Sequence, residues 1–459
     1  MTTIILPEEV QNILHTLKRA GFEGFVVGGG IRNAILHKPT VNWDFTTNAK
    51  PQEILTLFKN SFYNNTFGTV GVAVQLKNPF KKSGKLSVIF EITTYRSEFG
   101  YSDHRHPDKI VWGETLDEDL KRRDFTMNAL AFDGVRIVDL FGGIKDIKKK
   151  IVRAVGDGQA RFAEDALRMV RAVRFATEYS FTIDPDTSSA ISKNAALIAS
   201  ISGERIREEL IKILSSDFPS DGIRLLKNTG LLSFILPELE KCFGIEQKSP
   251  KRHHVHDVGT HLLLSLSHCP SKDPIVRLAT LLHDVGKPAT FQKTDEGIIT
   301  FYNHEIIGAS IVRHIADRLH LSKNEREKLV TLVRFHQFTV DEKQTDSAIR
   351  RFIRNIGKEN IDDMLALRTG DRLGGGARQT SWRLELYKKR LEDVQKQPFT
   401  VSDLKVDGHD VMKVFDISPG PKVGKILEML FTQVVEGKLK NEKELLLEKI
   451  SEFSEKKIV

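Results

Sequence analysis

At 459 residues the chain is too long for one compact core, so three or four domains are expected. Its 40% hydrophobic and 28% charged residues fit a soluble globular protein, and Cys242 and Cys269 alone give no disulfide framework and no zinc spacing. A formal charge of +8 favours a polyanionic partner; no apolar run spans a membrane and the N-terminus lacks a signal-peptide layout, so a reducing cytoplasm is the expected home.

Residues 25–27, 71–76 and 86–94 alternate or run apolar with β-branched side chains, which predicts strands. Gly28, Gly29 and Gly30 close the first strand, and residues 31–36 then open a helix. Such a turn lets backbone N–H groups approach phosphate oxygens beside Arg32, although alone it is more simply a tight strand-to-helix turn. Asp44, in Trp43-Asp-Phe-Thr-Thr47, and Glu91, in Glu91-Ile-Thr-Thr-Tyr-Arg96, are hard oxygen donors that neighbouring strands can bring to one cation. A polar, aromatic and basic stretch follows from Tyr95 to Pro107, with Gly100 as a hinge. Next comes Asp119-Leu-Lys-Arg-Arg-Asp-Phe-Thr-Met-Asn-Ala129, which sets Arg122 and Arg123 directly before Asp124, with Asn128 four residues on. That cluster suits anionic phosphates and a sugar edge; locally, Asp124 also suits the cap of a helix over 125–132.

From about residue 151 the strand signal fades into helical patterns, broken near 200–203, 247–252, 374–376 and 398–403. Residues 163–179 read as one amphipathic helix, with Ala166, Met169, Val170 and Val173 on a stripe and Asp165, Arg168, Arg171 and Arg174 around the rest. Three residues apart on a helix, Asp165 and Arg168 project together. A carboxylate that accepts and a guanidinium that donates fit the Watson–Crick edge of cytosine or adenine; alone, the same spacing is a surface ion pair. Farther on come His261, the doublet His283-Asp284 before Val-Gly-Lys287, then His304, His336 and Asp371, mostly on helical patterns able to converge in a bundle. Mixed imidazole and carboxylate donors favour a transition metal or magnesium, and a metal-bound water is a hydrolytic nucleophile at neutral pH. In the tail, residues 419–424 open a helix that leaves Lys422 and Lys425 for phosphate contacts.

Taken in this order, the motifs resemble the head and neck of the bacterial tRNA nucleotidyltransferases, the CCA-adding enzymes and their poly(A) polymerase relatives. The histidine-rich segment resembles an HD domain, a metal-dependent phosphohydrolase module. The resemblance implies an α+β chain: a nucleotidyltransferase head with a mixed β-sheet and helices over 1–150, an all-α neck over 151–245, an HD domain over 246–375 and a helical tRNA-binding tail over 376–459. It implies template-independent addition of CCA to tRNA 3′ ends from CTP and ATP, with no membrane and no obligate protein partner evident. Asp44 and Glu91, helped by Asn42, would hold Mg2+. Gly28, Gly29, Arg32, Arg122, Arg123, Asp124 and Asn128 would contact the nucleotide; Glu164, Asp165 and Arg168 match the base-reading motif, with Arg171 and Arg174 on the same element. Residues 95–107 resemble the flexible loop that switches family members from C to A, with His106 where an arginine is commoner, and residues 203–210 resemble the neck helix. His261, His283, Asp284 and Asp371 match the HD ligand core, with His304 and His336 completing or enlarging a site for a second divalent metal.

Two positions depart from the pattern. The family's Asp-x-Asp is Asn42-Trp43-Asp44 here, and the Asp that closes the Gly-Gly-x-x-Arg-Asp run is Asn33. An amide oxygen coordinates a cation without charge, so metal binding at the head should weaken. Two other readings follow: an A-adding enzyme or poly(A) polymerase, and an HD phosphohydrolase with a degenerate polymerase head.

Overall fold

The computed structural model describes residues 4–63, 68–77, 85–99, 109–112, 115–247, 256–338, 340–341, 343–395 and 401–455. The chain divides into two compact units, one of Met1–Lys241 with Ile315–Leu321 and one of Cys242–His314 with Ser322–Val459.

The first unit begins with an α+β region. Its strands are β1 (Phe25–Val27), β2 (Asp44–Thr47), β3 (Ser61–Tyr63), β4 (Thr69–Lys77), β5 (Lys85–Thr94), β6 (Arg96–Phe99), β7 (Lys109–Trp112), β8 (Leu130–Phe132) and β9 (Ile137–Asp139). Seven of them form one sheet in the order β3-β4-β5-β2-β1-β8-β9, while β6 and β7 pair separately. The β2–β5 pair is parallel and the other pairs of this sheet are antiparallel. A parallel pair needs a crossover, and the helix Pro51–Leu57 lies within the connection. The predicted strands are all present: β1 has the expected bounds, and β4 and β5 run slightly longer than expected. Val26, Phe45, Phe90 and Ile92 are fully or almost fully buried in the sheet's core.

Two local expectations are corrected. Residues 125–132 do not form a helix: a short 3-10 turn, Thr126–Asn128, leads into β8. Leu130, Ala131 and Phe132 are all buried, and pairing with β1 and β9 hides this uninterrupted apolar run where a surface helix would expose it. Residues 163–179 are not one helix either. Gly158–Glu164 ends, Asp165 is extended at φ −137° and ψ 103°, and Leu167–Tyr179 then begins. The Asp165 carboxylate accepts from the Leu167 N–H at 3.1 Å, so the acid caps the second helix at its first turn, where backbone donors are unpaired. Nor is this helix one-sided: Arg168 and Arg174 are buried along with its apolar residues. It packs on the helix Gly203–Ser215, which spans the expected neck segment.

Among the described residues the second unit is helical, apart from one short hairpin (Gln292–Lys293 with Ile299–Thr300). Val258–Ser267, Pro274–Leu282, Lys323–Phe335, Ile361–Gly374 and the start of His304–Arg318 carry or border the six expected histidines and acids. Its tail helices Gly408–Phe415, Pro421–Val435 and Lys443–Glu455 share a core that includes Val411, Ile426, Leu430, Leu446 and Ile450. Pro421 sits in the first turn, where its missing N–H costs nothing. Cys242 and Cys269 are both buried. Among the described residues, no helix is long and apolar enough to cross a membrane.

Candidate nucleotide site and candidate metal centre

The parallel register sets Asp44 on β2 directly opposite Glu91 on β5, and the antiparallel register sets Val27 opposite Asp44. The glycine turn after β1 therefore opens beside Asp44, with Glu91 one strand farther along the sheet. Gly28 has φ +68°, a conformation that favours glycine, and a Cβ there would lie 3.1 Å from Arg123 Nη1 and 3.8 Å from Asp44 Oδ2. Asp44 itself is exposed, yet surrounding protein raises its carboxyl pKa, with Arg123 pulling the other way. Asn42 is exposed two residues ahead, and the intervening Trp43 is buried.

Arg122 and Arg123 share one anchor, Asp119. Arg122 donates to its Oδ1 through Nε (3.0 Å) and Nη2 (2.5 Å), and Arg123 Nη2 donates to Oδ2 at 3.1 Å. Burial would raise the Asp119 carboxyl, but the two guanidiniums outweigh it and hold it below the usual range. Sequence alone gave Asp119 no role; the signal was an acid three and four residues ahead of two arginines at the end of a helix. Arg123 Nε is buried and lacks a hydrogen-bond partner among the described residues.

A second network crosses behind the turn. Arg32 Nη1 donates to Asn128 Oδ1 at 2.5 Å, and Asn128 Nδ2 donates to Asp124 Oδ1 at 2.9 Å. Arg171 closes on Asp124 Oδ2 through Nε (2.9 Å) and Nη2 (2.7 Å). Burial disfavours the Asp124 carboxylate, but Arg171 and the Asn128 amide outweigh that and hold it at about 2. Arg32 also donates to the Tyr179 hydroxyl at 2.7 Å, and that hydroxyl donates to Asn33 Oδ1 at 3.0 Å. Tyr179, which no sequence motif singles out, thus joins the neck-region helix to the turn.

The expectation that Asp165 and Arg168 project from one helix turn is corrected by the break between them. Arg205 Nη2 donates to Asp165 Oδ2 at 3.2 Å, while Arg168 donates to Glu164 Oε2 at 2.8 Å and to the Arg122 carbonyl at 3.1 Å. Arg174 is committed to packing: it bridges Glu178 (2.6 Å) and Glu209 (2.5 Å) and lies 3.7 Å over the Phe175 ring. The 95–107 stretch falls largely outside the described residues, His106 included.

In the second unit six expected residues converge. His261 lies within its helix, His283 and Asp284 follow Pro274–Leu282, His304 begins a helix, His336 ends one, and Asp371 lies near the end of Ile361–Gly374. Gly286 makes the approach possible, since a Cβ there would meet the His304 carbonyl at 2.1 Å. His261, His283, Asp284, His304 and His336 are buried. Ligand atoms of His261, His283 and Asp371 lie within 4.8 Å of one another, as do those of His283, Asp284 and His336. His283, His304 and His336 each direct Nδ1 to a backbone carbonyl, of Thr280, Phe301 and Val333 respectively, at 2.7–2.8 Å. A carbonyl only accepts, so each Nδ1 carries its proton and each Nε2 faces inward, the usual outer support of metal-bound imidazoles. Burial opposes charge on His283, but Asp284 and Asp371 outweigh it and push its pKa up to about 10. Lys287 Nζ lies 2.6 Å from Asp284 Oδ2, and Arg368 Nη1 lies 3.0 Å from Asp371 Oδ2. A cavity of about 430 Å³ opens on this cluster, lined also by Tyr302, Asn303 and Gln337. The donor set fits a divalent metal.

Three family models match: the poly A polymerase head domain over residues 24–153, the RNA and SrmB-binding site of polymerase A over 180–243, and tRNA nucleotidyltransferase domain 2 over 290–450. The CCA-adding enzyme of Ligilactobacillus salivarius is 32% identical over 463 residues, covering 99% of each chain. That of Lactobacillus helveticus is 47% identical over 203 residues, 44% of this chain and 48% of the relative. The crystal structure of the Bacillus stearothermophilus CCA-adding enzyme in complex with CTP superposes with a TM-score of 0.71 at 27% identity, covering 99% of both chains. With its mixed-sheet head, its helical remainder and a relative matched from end to end, this chain belongs to the CCA-adding enzyme family of tRNA nucleotidyltransferases.

Proposed function

We propose that the chain adds C, C and A, template-independently, to tRNA 3′ ends from CTP and ATP. The observation that carries this reading is the end-to-end likeness to a CTP-bound enzyme of that activity, with Asp44 and Glu91 paired beside the glycine turn. In the reaction the RNA 3′-oxygen forms a bond to the α-phosphorus, the bond to the β-phosphate bridging oxygen breaks, and pyrophosphate leaves. The carboxylates of Asp44 and Glu91, with the amide of Asn42, fit Mg2+, which when bound neutralises triphosphate charge and activates the hydroxyl. Arg123 neutralises phosphate charge next to Gly28, with Arg122 and Asp119 holding it in place. The Arg32–Asn128–Asp124–Arg171 chain fixes the turn against the neck-region helix and lines the sugar. Glu164, Asp165 and Arg168 select the base, the base edge replacing Arg205 at Asp165. The segment plan is a head over 1–150, a neck over 151–245, an HD domain over 246–375 and a tRNA-binding tail over 376–459, in a cytoplasmic protein. Addition to a tRNA ending at the discriminator base, with CTP, ATP or both and Mg2+, tests the reading. C, C and A in sequence is expected; ATP-only addition would point to an A-adding enzyme, and no addition would sink the proposal.

A second reading is favoured by one observation, the convergence of His261, His283, Asp284, His304, His336 and Asp371. We infer a divalent metal centre of the HD type there, suited to hydrolysis of a phosphate ester. Metal bound to the stripped chain and lost in His283→Gln, with nucleotide addition intact, is the expected result; a chain that retains no metal would discard it.

A further inference from the structure

We propose that Phe62, folded across Gly71 on the sheet face that carries Asp44 and Glu91, is the platform on which the terminal base of the RNA acceptor stacks while its 3′-oxygen is presented to the two acids. The inference rests on the nucleotide-addition reading above and names the group that holds the RNA end.

Register places the ring. Phe62 on β3 pairs with Gly71 on β4, Gly71 with Glu91 on β5, and Glu91 with Asp44 on β2. Residues directly opposite one another on neighbouring strands turn their side chains to the same face, so Phe62 shares a face with both acids. Burial alternates accordingly: Ala73, Ile89 and Glu91 are exposed, while Val70, Val72, Phe90 and Ile92 point to the core.

Gly71 is the gap in this row. A Cβ there would lie 2.6 Å from Phe62 Cζ and 3.1 Å from Ile89 Cγ2, so the ring lies across the glycine backbone. A lone glycine inside a strand marks such a close approach. The ring thus covers the strand next to that of Glu91, about 4.8 Å away. Phe62 nevertheless stays 43% exposed and Ile89 52%, which leaves a flat apolar surface beside the acids.

The direction of attack decides which substrate meets this surface. In phosphoryl transfer the attacking and leaving oxygens stand roughly in line across phosphorus. Gly28 and Arg123, the groups assigned to the phosphates, lie on the β1 side of Asp44, where Val27 is its partner, and the leaving pyrophosphate stays with them. The attacking oxygen then arrives from the other side, over β5 and β4, and Phe62 lies there. The incoming base belongs with the neck-region helix, which the bond between Arg32 and Tyr179 ties to the turn after β1. The ring therefore falls to the RNA. Successive additions present different terminal bases, and an aromatic face accepts each of them, since every base has a π-face.

The full-length chain is assayed with a tRNA ending at the discriminator base and with one that lacks only its terminal A. In Phe62→Ala the KM for tRNA should rise about tenfold, the scale of one lost base–aromatic stack, while the KM for CTP and for ATP stays the same. Phe62→Tyr keeps the ring and should keep the KM. Phe62→Leu keeps apolar bulk without a π-face and should behave as the alanine form; a leucine form with the KM of the unaltered chain would mean packing alone and would overturn the proposal. Phe62→Trp gives a readout besides activity: its added fluorescence, relative to the unaltered chain, should be quenched by the tRNA and not by CTP. A tRNA KM unchanged in Phe62→Ala, with addition intact, would overturn the platform and leave the activity reading standing. A rise confined to the nucleotide KM would give the ring to the incoming base and overturn it as well. No addition by the unaltered chain would overturn both readings.

Discussion

The head and the histidine cluster gather their charges in opposite ways. At the head, Asp44 and Glu91 stand exposed and opposite each other on neighbouring strands, one acid position of the family motif is the amide Asn42, and the nearby guanidiniums are already held by Asp119. In the second unit the imidazoles are buried, the outer nitrogens of His283, His304 and His336 are fixed by carbonyls, and the inner nitrogens crowd together. The head is an open site that its charged substrate can finish. The cluster is preorganised, and a bound cation would offset its cost in desolvation. On the proposed reading, a moving substrate and a resident ion ask for these different constructions.

The largest effect that separates them should come from Asp44→Ala. Nucleotide addition should fall by roughly 10³-fold, the scale of losing a central electrostatic group, while the metal content of the histidine cluster stays the same. A modest fall would mean that Glu91 and Asn42 suffice. The converse change is His283→Gln: metal retention in the second unit and any phosphate-ester hydrolysis should drop by about 10²-fold or more, with CCA addition unaltered. If addition fell in step, the two centres would not be separable.

Asn42→Asp sharpens the contrast from the other side. A second full anion should lower the Mg2+ concentration needed for half-maximal addition by about tenfold, since each added opposite charge deepens a cation site. An unchanged Mg2+ requirement would show that the amide is not a ligand.

A smaller effect concerns acid stability. The Asp124 carboxyl sits at about 2 in the folded head, below its ordinary value near 3.8. A depressed carboxyl contributes stability that is full above the unfolded pKa and is lost as pH falls through the folded one, here from about 4 to about 2. Arg171→Met removes the main opposing cation, so the acid-unfolding midpoint should move to higher pH. A midpoint that stays put in circular dichroism would remove the network from the stability argument. Smallest of all, Lys422→Ala or Lys425→Ala should weaken tRNA binding slightly, and each lysine that pairs with a phosphate should lower the salt slope of log Kd by about 1 when removed. A slope that does not change would take these lysines out of the RNA interface.

How much of this was legible beforehand differs by element. The strands around Phe25, Val72 and Phe90 were readable because apolar, β-branched runs bounded by glycine have few alternatives. Arg122, Arg123, Asp124 and Asn128 stood out because they sit close together in sequence. Their partners did not: Asp119 looks like an ordinary helix acid until its burial is seen, and Tyr179 lies 147 residues from Arg32. The helix break at Asp165 was hidden because apolar periodicity continues across it, while the capping bond that stops the helix involves one side chain.

By itself the sequence determined the α+β character, the family and the identity of the six residues that meet in the second unit. Those are carried by local spacing and residue type, which a linear chain displays directly. Only the tertiary structure decided that 125–132 completes a sheet, that Asp165 caps a helix, and that Asp284 turns a different oxygen to His283 and to His304. Such outcomes depend on which distant surfaces must be buried together and on the direction of individual lone pairs, and neither is written in the spacing of residues along the chain.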